Sequence, residues 1–187
     1  MNSSRRVSRR PSEDEYESEY HAGLIERVEG DCAIEALTDQ LYWICELASS
    51  LSTEQLDRLH SPYKWTVRQV FEHCTNTERL FGYRMMCLAD GTAPDLPDWD
   101  ENASAESRFG LGNFSKLIAE LGDLRKSNLL FLERLSPRCW DHIGTASGHR
   151  VSVRTIAWLA AGHLLHHLEI VENRCSVTAK RSGRMIE

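Results

Sequence analysis

Apolar residues recur three and four positions apart along four separate stretches of the chain, which is the spacing of an amphipathic helix. The stretches run from about Gly30 to Ser50, from Thr66 to about Asp90, from about Phe114 to Leu135 and from about Ser152 to Arg174. We find no strand-like alternation of useful length and no internal repeat between them. Four helices of this length without strands predict an all-α fold, a four-helix bundle.

Residues that start and stop helices agree with these bounds. Thr66 and Gln69 form a capping box at the start of the second helix, and Ser52 and Gln55 form one for a short extra turn. The connection from Gly91 to Gly112 is rich in proline, aspartate and glycine and is long for a link between two helices, and such connections are often functional. Within it, Trp99 is our candidate for a mobile lid over a pocket.

Length and charge limit the classes of function. The chain has 187 residues, a formal net charge of -6 and a sequence pI of about 5.8. An acidic surface repels phosphate backbones, so we expect no nucleic-acid partner. No apolar run approaches the ~20 residues that a membrane span needs, so we expect no membrane partner.

The two ends of the chain have the composition of tails. Arginines at positions 5, 6, 9 and 10 are followed by acidic rather than apolar residues, so this is not a secretory signal. We predict a disordered charged tail over 1–22, the bundle over 23–175 and a flexible C-terminal tail over 176–187. Six cysteines without a CxxC pair, in a chain without a signal, should stay reduced. These features favour a cytoplasmic location.

Histidines occupy core positions of the fourth helix. His163 and His167 lie about 40° apart around the helix and one turn along it, so their imidazoles can converge on one point. Helical histidines chelate metals in this way, but no glutamate stands in the general-base position, which excludes a thermolysin-like site. Buried histidines that bond only to neighbours are the alternative, and the small residues at 160–162 favour a cavity beside the pair.

A third ligand is needed for a metal site, and His73 at the edge of the second apolar stripe can supply it. Three neutral imidazoles leave coordination positions open, as in catalytic sites. His166 could replace one of them, although a neighbouring or interface position is the simpler interpretation. We interpret the remaining histidines as ordinary surface residues; they are His21, His60, His142 and His149.

Three stretches together resemble the DinB-like superfamily, which includes damage-inducible proteins and metal-dependent thiol transferases. They are the segment from Lys64 to His73, the segment Glu78–Phe81 that continues the same helix, and the run from Val151 to Thr155 that leads to His163 and His167. The order and spacing of the three are more specific than any one of them. The resemblance covers about 29–172.

This resemblance implies an antiparallel up-down-down-up bundle with a long crossover between the second and third helices. It implies one divalent ion, nickel or zinc, on His73, His163 and His167. The expected activity is S-transfer, in which the ion binds a low-molecular-weight thiol, lowers its pKa and presents it to an electrophile. A homodimer is also expected. The alternatives are metal-dependent hydrolysis, a catalytically silent metal-binding stress protein and a dimeric interaction module without metal.

Several other residues are candidates for the surroundings of such a site. Asn76 is placed to reach the rim of the cavity, and Arg125 with Asn128 could contact a thiol's carboxylate, although a solvated Arg125 is the simpler interpretation. Asn128 falls on the apolar stripe and needs a polar partner. Glu72 and Glu169 should face outward, so no acid–base dyad is evident beside the histidines. We expect Trp65 and Trp158 to be packing residues.

Overall fold

The computed structural model describes residues 7–107, 112–179 and 181. Its helices are α1 (Glu19–Glu26), α2 (Ala33–Ser50), α3 (Thr53–Asp57), α4 (Val67–Ala89), α5 (Glu101–Glu106), α6 (Phe114–Arg134) and α7 (Val153–Cys175). Its strands are β1 (Asp95–Leu96), β2 (Ile143–Ala146) and β3 (His149–Ser152), and short 3-10 helices lie at Glu13–Glu15 and Pro137–Asp141.

The four long helices α2, α4, α6 and α7 are the four that the apolar stripes predict. Each of α2 and α4 packs against both α6 and α7, so α2 and α4 occupy opposite corners of a four-helix bundle. Thr66 and Ser52 accept the backbone N–H of Gln69 and Gln55 as predicted, which fixes the starts of α4 and α3. Within the described part of the chain, no helix is long and apolar enough to cross a membrane.

A small sheet joins the bundle, and the expectation of a purely helical fold missed it. Strand β1 pairs parallel with β2, which pairs antiparallel with β3. Ser147 and Gly148 form the two-residue turn between β2 and β3 with φ values of 53° and 76°, as a hairpin turn with left-handed residues requires. Strands of two and four residues are too short to produce a readable alternation in the sequence.

Helix α7 is buried on every side from Val153 to Leu165, so the bundle alone cannot cover it. Helix α1 supplies part of the cover. A Cβ atom at Gly162 would lie 2.1 Å from the backbone oxygen of Leu24, so only glycine lets α1 approach this closely. Of the small residues at 160–162, which we expected to leave a cavity, Gly162 instead makes room for α1.

The structure also differs from the expected disorder over 1–22. The indole N–H of Trp158 donates to the oxygen of Arg9 at 2.8 Å, and Glu15 forms a buried ion pair with Arg154 at 2.5 Å. Residues 7–16 therefore lie against the start of α7, while 1–6 lie outside the described residues.

The start of the expected C-terminal tail also packs against α7. Its backbone N–H at Ala179 donates to Glu172 at 2.9 Å, and Arg181 pairs with the same carboxylate at 2.6 Å. Residue 180 and residues 182–187 of that expected tail lie outside the described residues.

Candidate metal centre

A layer of polar side chains crosses the middle of the bundle and separates two apolar clusters. Arg125 on α6 donates to both carboxylate oxygens of Glu78 on α4, at 2.9 and 2.8 Å. It also donates to the side-chain oxygen of Gln40 on α2 at 2.7 Å and to the backbone oxygen of Ala160 on α7 at 3.2 Å. One residue thus connects all four long helices next to the position of His163.

This layer corrects our interpretation of Arg125 as a solvated residue. Arg125 is fully buried, because a carboxylate on the facing helix neutralises its charge. The partner that Asn128 needs is also Glu78, whose side-chain and backbone oxygens accept from its amide at 2.8 and 3.1 Å. Its amide is therefore already used, and a contact between Asn128 and a substrate remains a prediction that this geometry does not favour.

Three imidazoles meet beside the polar layer. Their ring centroids are 4.9 Å apart for His73 and His163, 4.7 Å for His73 and His167, and 4.5 Å for His163 and His167. The Nε2 atoms of His73 and His163 are 2.9 Å apart, and one nitrogen from each of the three residues lies within 4.8 Å of the others. The structure therefore brings together the three residues that we predicted as ligands.

The chemistry of this cluster fits a divalent cation. Burial lowers the pKa of His73 to about 4 and holds the pKa values of His163 and His167 well below 6.5, so all three rings are neutral ligands at neutral pH. Tetrahedral zinc with ordinary Zn–N bonds places two ligand nitrogens about 3.3 Å apart. The 2.9 Å between Nε2 of His73 and Nε2 of His163 is close to that separation. Buried Nδ1 atoms of His73 and His167 also have no hydrogen-bond partner among the described residues.

A carboxylate that sequence reasoning missed adjoins the cluster. Glu101 on α5 places an oxygen 3.7 Å from Nε2 of His73. Burial raises the pKa of the Glu101 carboxyl, and the neighbouring charges of Asp98 and Asp100 raise it further. The sequence marks Glu101 only as one acid among several in a long connection, since nothing local shows that α5 folds back onto α4.

The other residues singled out from the sequence lie around the cluster rather than in it. The ring of Trp99 stacks on His73 with centroids 6.0 Å apart and planes 8° apart, and its role as a mobile lid stays a prediction. The ring centroid of His166 lies 5.1 Å from that of His167, and His166 is not among the three residues whose nitrogens converge. Asn76 borders a small crevice beside His73, but its amide already bonds Glu72 at 3.3 Å and Arg79 at 2.9 Å.

A cavity of about 820 Å³ extends from the histidine cluster, which is large enough for a small organic molecule. His163, Trp99 and Glu101 lie on its wall, and so do two histidines that we had interpreted as ordinary surface residues, His21 and His149. Burial, with smaller contributions from His149 and Arg84, lowers the pKa of His21 to about 4. The surface interpretation is therefore wrong for His21.

The remaining two histidines serve local structure. His60 bonds the backbone oxygen of Gln55 at 3.0 Å, and His142 bonds that of Ala89 at 2.8 Å. Neither of them lines the cavity. They offer unrelated histidine positions for comparison with the cluster.

Comparison with known proteins supports the architecture. The family model described as the DinB superfamily matches residues 35–171. A solved structure, YfiT from Bacillus subtilis, is similar to this chain with a TM-score of 0.67 and 19% identity over 78% of this chain and 87% of that one. YfiT is described as a probable metal-dependent hydrolase with an unusual four-helix bundle topology. None of the curated proteins matches significantly.

Proposed function

The chain belongs to the DinB superfamily, and on that premise we propose that it is an enzyme that depends on one divalent metal ion. His73, His163 and His167 would hold the ion, which we take to be nickel or zinc. The observation that carries the proposal is the convergence of three neutral imidazoles from two helices beside a carboxylate and a cavity. Three protein ligands are the number that catalytic zinc sites use, because they leave a position open for the reaction.

Residues of this chain would supply the rest of the chemistry. A divalent ion here provides Lewis acidity, which lowers the pKa of a nucleophile such as water or a thiol. Glu101 is placed to accept the proton that the nucleophile loses, since its carboxylate adjoins His73. Trp99, stacked on His73, shields the same ring from solvent. A site that served only to stabilise the bundle would need neither Glu101 nor the cavity.

We propose hydrolysis as the reaction, with water as the nucleophile. Glu101 suits the removal of a proton from water, and YfiT, which has a similar fold, is described as a probable metal-dependent hydrolase. Thiol transfer, which the sequence resemblance implies, is the second candidate. The size of the cavity favours it, because about 820 Å³ can hold a thiol together with an electrophile.

Elemental analysis tests the metal site. Protein purified without a histidine tag and incubated with nickel or zinc should retain one ion per chain. His73→Ala, His163→Ala and His167→Ala should each lose it with little change in helicity, while His60→Ala, which alters a histidine outside the cluster, should keep it. Metal-free wild-type protein, or full occupancy in His163→Ala, would overturn the proposal.

The choice between the two nucleophiles needs a second measurement. Hydrolysis predicts turnover of activated esters or amides by the metal-loaded protein without any thiol. Thiol transfer predicts that a low-molecular-weight thiol changes the absorption spectrum of the cobalt-substituted protein and is consumed only when an electrophile is present. A loaded protein that does neither would support the silent metal-binding alternative.

Three finer expectations belong with this proposal. The first is the up-down-down-up order of the helices, with the connection from Gly91 to Gly112 as the crossover. The second is a homodimer, which sedimentation equilibrium would test. The third is the cytoplasmic location.

A further inference from the structure

We propose that the cavity contains a carboxylate-binding subsite built on Arg84, so that the molecule acted on at the histidine cluster is a small carboxylate with an apolar body. The claim that the bound molecule is a substrate rests on the proposed function. The claim that Arg84 binds a carboxylate is independent of the proposed function, because none of the three histidines forms the subsite.

Arg84 differs from the other buried arginines in its charge balance. Arg125 pairs with Glu78 at 2.8 Å, and Arg154 pairs with Glu15 at 2.5 Å. Arg84 is also buried, yet no described carboxylate lies within ion-pair distance of it. A buried cation without a counter-ion is unfavourable, so an anionic ligand is the partner that this position lacks.

The guanidinium of Arg84 is held by Nη2 alone, so the N–H groups of Nε and Nη1 form no hydrogen bond with the described chain. Its Nη2 donates to the backbone oxygen of Pro97 at 2.9 Å and to the hydroxyl of Ser147 at 2.7 Å. The hydroxyl of Ser147 in turn donates to the exposed carboxylate of Asp98 at 2.8 Å, so Asp98 balances the charge only through the serine. The Nε atom of Arg84 is buried and has no hydrogen-bond partner in the described chain.

Arg84 lines the same cavity as the proposed chemistry. Arg84, His21 and His149 come from α4, α1 and β3 and line the cavity that His163 also lines. The rings of His21 and His149 are 5.5 Å apart, and the buried Nδ1 of His21 has no partner among the described residues. This side of the cavity therefore presents hydrogen-bond donors from the guanidinium and the imidazoles, together with one positive charge.

Other lining residues limit which anion fits. Apolar side chains also line the cavity; they are Leu24, Phe81, Ile156 and Leu159. Acidic residues of the connection that carries Trp99 also line the cavity; they are Asp98, Asp100 and Glu101. They would repel a doubly charged phosphate more than a single carboxylate.

Paired probes test the subsite. Phenylacetate and phenylacetamide have nearly the same shape and differ in charge, and calorimetry measures the binding of each. Wild-type protein should bind phenylacetate about tenfold more tightly or better, because a charge-assisted hydrogen bond is lost with the amide. Arg84→Met should remove that preference, whereas Arg79→Met, an exposed position on the same helix, should keep it.

A second variant strengthens the subsite rather than weakening it. Asp98→Asn removes the competing negative charge at an exposed position and keeps an oxygen to accept from Ser147. It should bind phenylacetate several-fold more tightly than the wild type. Equal affinity for the two probes, no binding of either, an unchanged preference in Arg84→Met or weaker binding in Asp98→Asn would each overturn the subsite.

Repeating the titrations after removal of metal separates the two proposals. A carboxylate preference that persists in metal-free protein and disappears in Arg84→Met supports the subsite, even if elemental analysis shows that the histidines hold no ion. A preference that disappears with the metal but survives Arg84→Met places the carboxylate on the ion. That result would overturn the subsite and support the proposed function.

Discussion

The carboxylate of Glu101 on α5 lies beside the imidazole of His73 on α4. One oxygen of Glu101 lies 3.7 Å from Nε2 of His73, whereas the other ring contacts of His73 come from histidines and tryptophans. Among the described side chains that adjoin the three imidazoles, Glu101 therefore has the chemistry of a proton acceptor at neutral pH. Its role can be separated from metal binding by experiment.

Glu101→Gln should retain the metal and lose turnover. The amide keeps the size of the side chain but cannot accept a proton, and general-base catalysis typically contributes about 10²- to 10⁴-fold to a rate. The measurement is the turnover of the active substrate beside the metal content of the same sample. Glu106→Gln, on an exposed part of the same short helix, is the control and should leave both unchanged. Loss of metal in Glu101→Gln would instead identify Glu101 as a ligand.

The buried ion pair of Arg125 and Glu78 has an exposed counterpart between the same two helices. Arg125→Met leaves Glu78 buried without a counter-ion and should lower the free energy of unfolding by about 3–5 kcal/mol. Arg79 pairs with Glu120 at the surface, so Arg79→Met should cost less than about 1 kcal/mol. Urea denaturation of both variants measures the difference. Similar losses would show that the polar layer contributes no more than a surface pair.

Helical spacing predicts the site only where its residues share a helix or an apolar stripe. The pair His163 and His167 follows from positions four apart, and His73 follows from its place at the edge of a stripe. Glu101, Arg84 and the pair of Arg125 with Glu78 could not be predicted in this way. Their partners lie on other elements, and local sequence gives no signal of which charges will meet.

At the scale of whole elements, the long helices were predictable and the small ones were not. The four apolar stripes and the capping residues of α4 determine bounds that the structure confirms within a few residues. Helix α1 and the three strands are too short to show a period, and they form because α7 has buried surface on every side that must be covered. Packing against α7, rather than local sequence preference, therefore positions helix α1 and the three strands.

Two glycines in helix interiors provide a test of whether α1 covers α7. Gly162 lies against the backbone of Leu24, whereas a Cβ atom at Gly122 would meet nothing within 4 Å. Gly162→Ala should push α1 away from α7 and lower the free energy of unfolding by about 1–3 kcal/mol. Gly122→Ala should raise it by up to about 1 kcal/mol through helix propensity alone. Equal shifts of the two denaturation midpoints would mean that α1 does not pack as described.

For the molecule as a whole, the charged N-terminal segment behaves as part of the fold. Its composition indicates disorder because a charge-rich stretch has little apolar surface to bury. The structure shows that residues 7–16 instead provide partners for buried polar groups of α7. Glu15 pairs with Arg154 and accepts from the hydroxyl of Ser152 at 2.8 Å, and the indole of Trp158 donates to the segment's backbone. Net charge could not reveal such partners, because each contact joins opposite ends of the chain.

Deletion of residues 1–17 tests whether this segment is a tail or a structural element. The deletion leaves Arg154 with only Asp141, a largely exposed carboxylate, and removes the acceptor of Trp158. The free energy of unfolding should fall by at least about 3 kcal/mol, because a buried cation loses its buried partner. Urea denaturation followed by tryptophan fluorescence measures it, with emission shifting to longer wavelength as Trp158 meets water. Deletion of residues 1–6 alone leaves these contacts intact and should change neither quantity. If both shortened proteins unfold at the same urea concentration as the full chain, the N-terminal segment contributes nothing to the free energy of unfolding. The predicted tail over 1–22 would then be the better description.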